Sequence, residues 1–150
     1  MILKIAVLSG DGIGPEVTEQ SIKVLKSLGK KFNHKIELEN GLVGAAAIDK
    51  YNDPYPDETH QVCLNSDAIL FGAIGDPKYD NDPKAKVRPE QGLLKMRKKL
   101  GLYANLRPTK VFESLLEMSP IKEERISGTD ILFVRELTGG IYFGERGRKD

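Results

Sequence analysis

The sequence predicts an α/β fold built on a parallel sheet. Residues 2–8 and 67–74 are short apolar runs of the kind that forms buried strands, and residues 35–39 alternate like a half-buried strand. Segments with helical character lie between them. Strands that alternate with helices in this way are typical of a parallel sheet covered by helices. With 150 residues, 39% of them hydrophobic, the chain is long enough to bury a core.

The first strand leads into a glycine-rich turn, GDGIGPEV, and a helix expected over residues 15–28. Gly10, Gly12 and Gly14 permit a tight turn, and Pro15 suits the first helical position. Pro15 also stands where the dinucleotide fingerprint GxGxxG needs its third glycine, so we interpret the segment as a structural turn, with close approach of a ligand as the alternative. The apolar face of the helix is expected to consist of Val17, Ser21, Val24, Leu25 and Leu28. Gly29 is expected to end the helix.

A second helix is expected over residues 56–65, before the strand at 67–74. The stretch GDPKYDNDPKAKVRP follows, about fifteen residues without periodicity, at the carboxyl end of a central strand, where open α/β sheets hold ligands. A helix over residues 90–100, stopped by Gly101, comes next. The remainder is expected to hold a short strand at 103–106 that ends at Arg107-Pro108, a helix at 111–118, a buried strand at 130–134 and a turn at Gly139-Gly140. Residues 1–102 are therefore interpreted as a first α/β domain and 103–150 as the start of a second.

The formal net charge is only +1, from 23 Lys and Arg against 22 Asp and Glu, which argues against a generic nucleic-acid or membrane-surface protein. The charge is uneven along the chain. Residues 49–82 hold eight acids and two lysines, whereas residues 84–110 hold nine basic residues and a single acid, Glu90. The basic run is either a solvated face or the site of a small anionic ligand. Lys95, Lys98 and Lys99 are expected to be solvated surface.

A single cysteine, Cys63, excludes an internal disulfide, and it cannot form a zinc site with His34 and His60 at any usual spacing. No apolar stretch approaches the roughly 20 residues that span a bilayer. Met1 leads directly into a strand-like run without the architecture of a signal peptide. These features favour a reducing compartment, and we expect a cytoplasmic protein.

Three arginines are the strongest candidates for ligand binding. Arg97 lies on a predicted helix, and Arg107 and Arg135 follow predicted strands that would meet at one sheet edge. A guanidinium group binds a carboxylate through two parallel hydrogen bonds and keeps its charge, so three of them would suit a ligand with two carboxylates. Leu93 and Leu94, one turn before Arg97, are either an apolar wall for a hydrocarbon branch of that ligand or ordinary core residues.

Tyr142 follows the double glycine Gly139-Gly140, which could bring its side chain into a tight site. Its phenol could then act as a general acid. The alternative is a half-buried aromatic residue whose hydroxyl is simply hydrogen-bonded. No Ser/His/Asp set or Cys/His pair is supported by the sequence.

Three segments, GDGIGPEV, RPEQGLLKMRKKLGLYANLRP and VRELTGGIYFGERG, resemble the β-decarboxylating dehydrogenases, the family of the isocitrate and isopropylmalate dehydrogenases. The resemblance covers residues 2–150 and implies the three-layer α/β/α fold of that family, incomplete in this chain. Glu90, Leu93 and Leu94 resemble the pocket for an isopropyl group. The resemblance therefore implies NAD-dependent oxidation and decarboxylation of 3-isopropylmalate to 2-oxoisocaproate, a step of leucine biosynthesis.

The resemblance also implies roles for individual residues. Arg97, Arg107 and Arg135 would bind the malate carboxylates, Leu93 and Leu94 would face the branch, and Tyr142 would help to protonate the enol. The residues that would line the cofactor are Ile13, Gly75, Asp76, Pro77, Lys78 and Glu90.

Family members are more than twice as long as this chain, and their lysine and the aspartates that hold Mg²⁺ or Mn²⁺ would lie beyond Asp150. We therefore expect a fragment that is inactive alone and a homodimer for the intact protein, without nucleic-acid or membrane partners. A related tartrate, malate or homoisocitrate dehydrogenase and a non-catalytic dicarboxylate-binding module are the alternatives. Titration with 3-isopropylmalate and the coding sequence beyond Asp150 would separate the enzyme from the module.

Overall fold

The computed structural model describes residues 1–80, 86–137, 139–144 and 147–148, without the side chains of Asp80, Ile141 and Tyr142. Contacts within the chain divide it into two compact units, Met1–Leu100 and Gly101–Asp150. Each unit is described by itself below.

Within its described residues, the first unit contains three strands and five helices. The strands are β1 (Ile2–Gly10), β2 (Lys35–Asn40) and β3 (Ala68–Ala73). The helices are α1 (Gly14–Lys31), α2 (Ala45–Tyr51), α3 (Asp57–Leu64), α4 (Pro77–Asp80) and α5 (Pro89–Lys99). The strands pair in parallel in the order β2-β1-β3, so the prediction of a parallel α/β layer is confirmed.

The order of the strands indicates where a ligand could bind at one edge of the sheet, called the binding edge below. The chain leaves β1 through α1 to reach β2 on one side, and then returns to β3 on the other side of β1. The connection from β2 to β3 therefore runs in the opposite direction to that from β1 to β2, and open α/β sheets bind ligands outside the carboxyl ends of their strands where the direction of the connections reverses. The glycine-rich turn after β1 and the segment after β3 both lie at this edge.

A core cluster joins the sheet to the helices. Its buried members are Ala6, Leu8, Val43, Tyr55, Cys63 and Met96. Tyr55 is completely buried, and its hydroxyl lies 3.1 Å from Nδ1 of His60. Burial raises the pKa of both Tyr55 and Cys63 above their ordinary values, so the buried thiol is held in its neutral form.

The predicted apolar face of α1 is only partly correct: Ser21 and Leu25 are half-buried, but the other three residues are exposed. Val17, Val24 and Leu28 are 45%, 59% and 45% exposed, whereas the buried positions of the helix are Gly14, Thr18 and Gly29. Small residues lie there because the sheet approaches the helix closely: a Cβ on Gly14 would overlap the carbonyl oxygen of Ser9. The buried face of α1 is therefore rotated from the predicted one and shares Ser21 and Leu25 with it.

The expected end of α1 at Gly29 is also wrong, because the helix continues to Lys31. Gly29 instead packs against the next strand, where a Cβ would lie 3.2 Å from the Cδ1 atom of Ile36. The chain turns at Asn33, whose φ of 54° is in the left-handed region that asparagine tolerates.

Two helices of the first unit were missing from the sequence-based prediction. The seven-residue helix α2 lies between β2 and α3, and the short helix α4 begins at Pro77, inside the stretch expected to lack periodicity. Residues 81–85 of that stretch lie outside the described residues. Helix α5 runs from Pro89 to Lys99 and is followed by Gly101 at a φ of 65°, close to the predicted bounds.

The second unit is built on one antiparallel strand pair, β4 (Ala104–Lys110) and β5 (Asp130–Glu136). A 3₁₀ helix (Glu113–Met118) lies where a helix was expected over 111–118, and the described residues of this unit also form α6 (Glu123–Ile126) and α7 (Gly140–Phe143). Strand β4 does not end at Arg107-Pro108, since a two-stranded sheet consists of edge strands, which accommodate proline. Strand β5 is exposed along its whole length rather than buried. No helix in the described part of the chain is long and apolar enough to cross a membrane.

Candidate functional site

The turn after β1 and the segment after β3 are in direct contact. The amide of Asp11 donates to the carbonyl oxygen of Ala73 at 2.8 Å, and a Cβ on Gly12 would lie 3.5 Å from the carbonyl oxygen of Gly75. Gly14 supplies the close approach of helix and strand that the sequence argument required of a glycine at position 15. The missing third glycine of the fingerprint therefore does not prevent a tight strand–turn–helix arrangement here.

Asp11 is a buried carboxylate at the centre of this arrangement, with 6% of its surface exposed. Its Oδ2 atom accepts hydrogen bonds from the amides of Ala45 at 2.8 Å and Gly75 at 3.2 Å, and its Oδ1 atom accepts one from Ala46 at 3.0 Å. Ala45 and Ala46 are the first residues of α2, so the carboxylate satisfies amides that the helix itself leaves unpaired. Asp11 thus joins α2 to the segment after β3.

The structure brings three of the predicted cofactor residues to this edge. Ile13 is 57% exposed directly after Gly12, and Gly75 has a φ of 134°, a backbone conformation that residues with side chains rarely adopt. A Cβ on Gly75 would lie 3.4 Å from Oε1 of Glu90. The exposed apolar side chain, the bare backbone and the carboxylate therefore line one edge of the sheet.

Lys78 and Asp76 shape the turn that follows Gly75. Asp76 accepts a hydrogen bond from the amide of Lys78 at 2.9 Å, and Lys78 Nζ lies 2.7 Å from Oδ1 of Asp49. Tyr79 donates its hydroxyl proton to the same oxygen at 2.7 Å. These partners hold the pKa of Asp49 below its ordinary value, Lys78 first and Tyr79 second. Helix α4 is thereby joined to α2 by these contacts.

Helix α5 carries the predicted apolar and cationic substrate residues. Leu93 is partly buried and packs against the core cluster, which is the ordinary role that the sequence left open for it. Glu90, Leu94 and Arg97 have the i, i+4, i+7 spacing of one helical stripe. Arg97 has no hydrogen-bond or ion-pair partner within the described residues, so its guanidinium group can receive a carboxylate.

The neighbouring lysines of α5 differ from this arginine. Lys95 Nζ lies 2.5 Å from Oδ2 of Asp53, and Lys99 Nζ lies 2.5 Å from Oδ1 of Asp57. The expectation that these two lysines are merely solvated is therefore wrong: they join the basic segment to the acidic one. Lys99 holds the pKa of Asp57 below its ordinary value. Lys98 is exposed, as expected.

The second unit carries the other two arginines on adjacent strands. In the β4–β5 register Asn105 lies opposite Arg135, and Arg107 lies opposite Phe133. Arg107 and Arg135 therefore project from the same face of the strand pair. The Nε atom of Arg107 donates to Oδ1 of Asn105 at 2.7 Å. Tyr142 belongs to α7, and its side chain lies outside the described residues.

A metal site was expected beyond this chain rather than within it. Among the described residues, no group of three or more His, Cys, Asp or Glu side chains is placed to hold a metal ion. Several of the acidic residues instead pair with lysines or with backbone amides, as Asp11, Asp49, Asp53 and Asp57 do.

Sequence reasoning missed Asp11 and Asp49 as organisers of this edge. Asp11 lies inside the GDGIGPEV motif, in which only the glycines and the proline carry a local turn signal. Its partners follow 34 and more positions later, so no local pattern could identify them. The run Gly44-Ala45-Ala46-Ala47 was the available signal for α2, because alanine is the strongest helix former.

Comparisons with known proteins agree with this architecture. Residues 4–150 match the isocitrate/isopropylmalate dehydrogenase family. The chain is 59% identical, over 97% of its length, to the 3-isopropylmalate dehydrogenase of Bacteroides fragilis (strain YCH46) and 56% identical, over 97%, to that of Bacillus subtilis (strain 168). It spans 41% and 40% of these two relatives.

Solved structures show the same fold. A β-decarboxylating dehydrogenase from Thermococcus kodakarensis has a TM-score of 0.63 at 32% identity, covering 89% of this chain and 33% of that one. An isocitrate dehydrogenase from Methylococcus capsulatus has a TM-score of 0.69 at 27% identity, covering 93% of this chain and 36% of that one. The predicted isocitrate/isopropylmalate dehydrogenase-like fold is confirmed.

Proposed function

The chain belongs to the isocitrate/isopropylmalate dehydrogenase family. We propose that the protein converts 3-isopropylmalate and NAD⁺ into 2-oxoisocaproate, CO₂ and NADH, as a step of leucine biosynthesis, with NAD⁺ as the oxidant. The C2–H bond breaks with transfer of a hydride, the hydroxyl loses a proton, and the bond from C3 to its carboxylate then breaks. The electron pair of that bond forms an enol, which is protonated at C3.

The observation that carries this proposal is the arrangement of α5 at the binding edge. Glu90 lies beside Gly75 at the end of β3, and Leu94 and Arg97 continue the same helical stripe. A cofactor at the sheet edge and a branched malate along the helix would then be adjacent, which hydride transfer requires. The 3-isopropylmalate dehydrogenases that the chain matches at 56–59% identity support the choice of substrate.

The proposed roles follow from the chemistry of each side chain. Arg97, Arg107 and Arg135 bind the two carboxylates through charge-assisted hydrogen bonds, and Leu94, with Leu93 behind it, contacts the isopropyl branch. Tyr142 donates the proton that the enol requires.

Ile13, Gly75, Asp76, Pro77, Lys78 and Glu90 form the proposed cofactor edge. The bare backbones of Gly12 and Gly75 at the strand ends fit a dinucleotide, since no Cβ obstructs a close approach there. NAD, when bound, accepts the hydride from C2. Glu90 is suited to accept hydrogen bonds from ribose hydroxyls.

Mg²⁺ or Mn²⁺ is the proposed metal cofactor of the whole protein, but the described residues provide no site for it. No step is therefore assigned to a metal here. The proposed protein partner is a second copy of the same protein, which sedimentation of the purified protein would test.

The test is a comparison of substrates. The protein, purified from its complete reading frame and supplied with Mg²⁺, should form NADH on addition of 3-isopropylmalate. Isocitrate and unbranched malate should be far poorer substrates, because an apolar wall discriminates by the branch it contacts. A preference for isocitrate or malate would refute the assignment. Binding of 3-isopropylmalate without any formation of NADH would favour a non-catalytic dicarboxylate-binding module.

A further inference from the structure

Asp11 occupies a position that links three elements of the first unit. Its backbone amide donates to Ala73 at the end of β3, and its carboxylate accepts bonds from the start of α2 and from Gly75. All three acceptor contacts involve backbone amides, so they depend on the carboxylate and not on the identity of its partners' side chains. The group is buried, and water therefore competes little for these bonds.

The surroundings of Asp11 are adapted to this contact. Gly44, which precedes α2, has a φ of 76°, and a Cβ there would overlap the Asp11 carboxylate. The amide of Gly44 is in turn held by the carbonyl oxygen of Pro54 at 2.9 Å. The start of α2 is thus held in place by a contact that does not involve Asp11. Its amides therefore offer the Asp11 carboxylate fixed hydrogen-bond donors.

The Asp11 carboxylate restrains the backbone conformation of Gly75, whose amide donates to it. It has a φ of 134°. Because glycine lacks a Cβ, its backbone could also adopt many other conformations if nothing restrained it. Asp49, two residues before the last residue of α2, Tyr51, restrains the continuation of the same segment through Lys78 and Tyr79. The segment from Gly75 to Tyr79 is therefore restrained by two carboxylates: that of Asp11, which bonds the start of α2, and that of Asp49, which belongs to α2.

We propose that Asp11 is a positioning residue that holds the Gly75 turn in the conformation that receives the dinucleotide, a role that rests on the proposed function for the identity of that ligand. Asp11 is buried behind the turn and acts through the backbone of Gly75. Its loss should therefore weaken cofactor binding while the arginines and leucines that take the malate remain in place.

The test is a graded series at Asp11 with a matched series at Asp67. Asp67 accepts a hydrogen bond from the amide of Lys4 at 2.8 Å, so it also bonds the backbone of β1, at the opposite end of the parallel strands. Asp11→Asn removes the charge and turns an NH₂ group towards at least one amide, and Asp11→Ala removes all three bonds. Asp67→Asn and Asp67→Ala are the controls.

We expect the Kd for NAD, measured by calorimetry, to rise roughly tenfold in Asp11→Asn, the change expected when charge-assisted bonds are weakened. It should rise further in Asp11→Ala. The KM for NAD should rise in parallel, with kcat and the KM for 3-isopropylmalate within about twofold of wild type, the pattern of lost uniform binding. Hydrogen exchange at the Gly75 amide should accelerate in Asp11→Asn and stay unchanged in Asp67→Asn.

Different outcomes separate this inference from the proposed function. A folded Asp11→Asn protein that binds NAD as wild type does would overturn the positioning role. Equal losses for NAD and for the malate would also overturn it, because they would indicate a general structural defect. If Asp11→Ala does not fold, Asp11→Asn alone decides. A wild-type protein that binds NAD but does not oxidise 3-isopropylmalate would refute the proposed function and leave the Asp11 series decisive. A wild type that does not bind NAD refutes both.

Discussion

Replacing Gly92 with alanine should impair activity far more than stability. Gly92 lies on the buried side of α5, and a Cβ there would overlap the carbonyl oxygen of Pro54 and lie 3.0 Å from its carbonyl carbon. Carbon atoms pack at about 3.5–4.0 Å, so α5 and the Pro54 segment must separate by roughly 0.5–1 Å. The atoms that obstruct the methyl group belong to backbone, which cannot move aside by changing a rotamer.

The effects of this substitution on stability oppose one another. Alanine in a helix interior is favoured over glycine by about 1 kcal/mol, whereas overpacking costs about 1–3 kcal/mol. The free energy of unfolding should therefore fall by about 0–2 kcal/mol, or a few degrees in Tm. The shift of α5, however, displaces Arg97 and Glu90 together, and a misplacement of about 1 Å can reduce activity by about 100-fold.

The assay is kcat/KM for NADH formation from 3-isopropylmalate, measured beside thermal unfolding on the same preparation. Lys98→Ala, at an exposed position of the same helix, is the matched control and should match wild type in both measurements. A Gly92→Ala protein with kcat/KM within threefold of wild type would refute the reasoning. It would mean either that α5 tolerates the methyl group without moving or that its position does not determine activity.

Three further predictions follow from the structure. Gly14→Ala should lower the free energy of unfolding, measured by urea titration, by about 1–3 kcal/mol, because the methyl group would overlap backbone atoms of Ser9 and Ala73. Gly147→Ala is the control, since a Cβ there has nothing within 4 Å. Equal stabilities of the two variants would contradict the close packing at Gly14. Asp49→Asn should lower Tm by an amount that is constant above the ordinary Asp pKa of 3.8 and disappears as the pH falls through the lowered pKa of the folded state; a difference independent of pH would contradict the ion pair. Arg97→Lys should raise the KM for 3-isopropylmalate about tenfold or more, because a point charge replaces a bidentate group, whereas Lys98→Arg should leave it unchanged.

The sheet and the longest helices could be predicted because their signals are local. The apolar runs of β1 and β3 identified the strands, and Gly101 marked the end of α5. The buried side of α1 could not be predicted in this way. Gly14, Thr18 and Gly29 carry little hydrophobic signal, yet the helix packs on the sheet through them because they allow close approach. Apolar periodicity indicates a stripe, and only tertiary packing decides whether the stripe is covered.

The candidate site likewise contains residues that local sequence signals identify and residues that only the fold reveals. The glycine-rich turn and the three arginines stand out because their residue types suit a phosphate-bearing cofactor or a carboxylate ligand. Asp11 and the ion pair between Asp53 and Lys95 cannot be recognised from the sequence, because their partners lie more than thirty positions away. Charge counts revealed acidic and basic segments, but only the fold shows that Lys95 and Lys99 form ion pairs with aspartates.

The pairing of β4 with β5 has a consequence for how the second unit can change during evolution. The hydrogen-bond register of the strand pair sets the spacing of Arg107 and Arg135, and neighbouring side chains of β5, such as Leu132 and Val134, are exposed within that unit. Substitutions among those neighbours can accumulate without altering the distance between the two guanidinium groups. A slip of the register by one residue, in contrast, would turn every side chain of the shifted strand to the opposite face. Arg107 and Arg135 would then be separated in a single event.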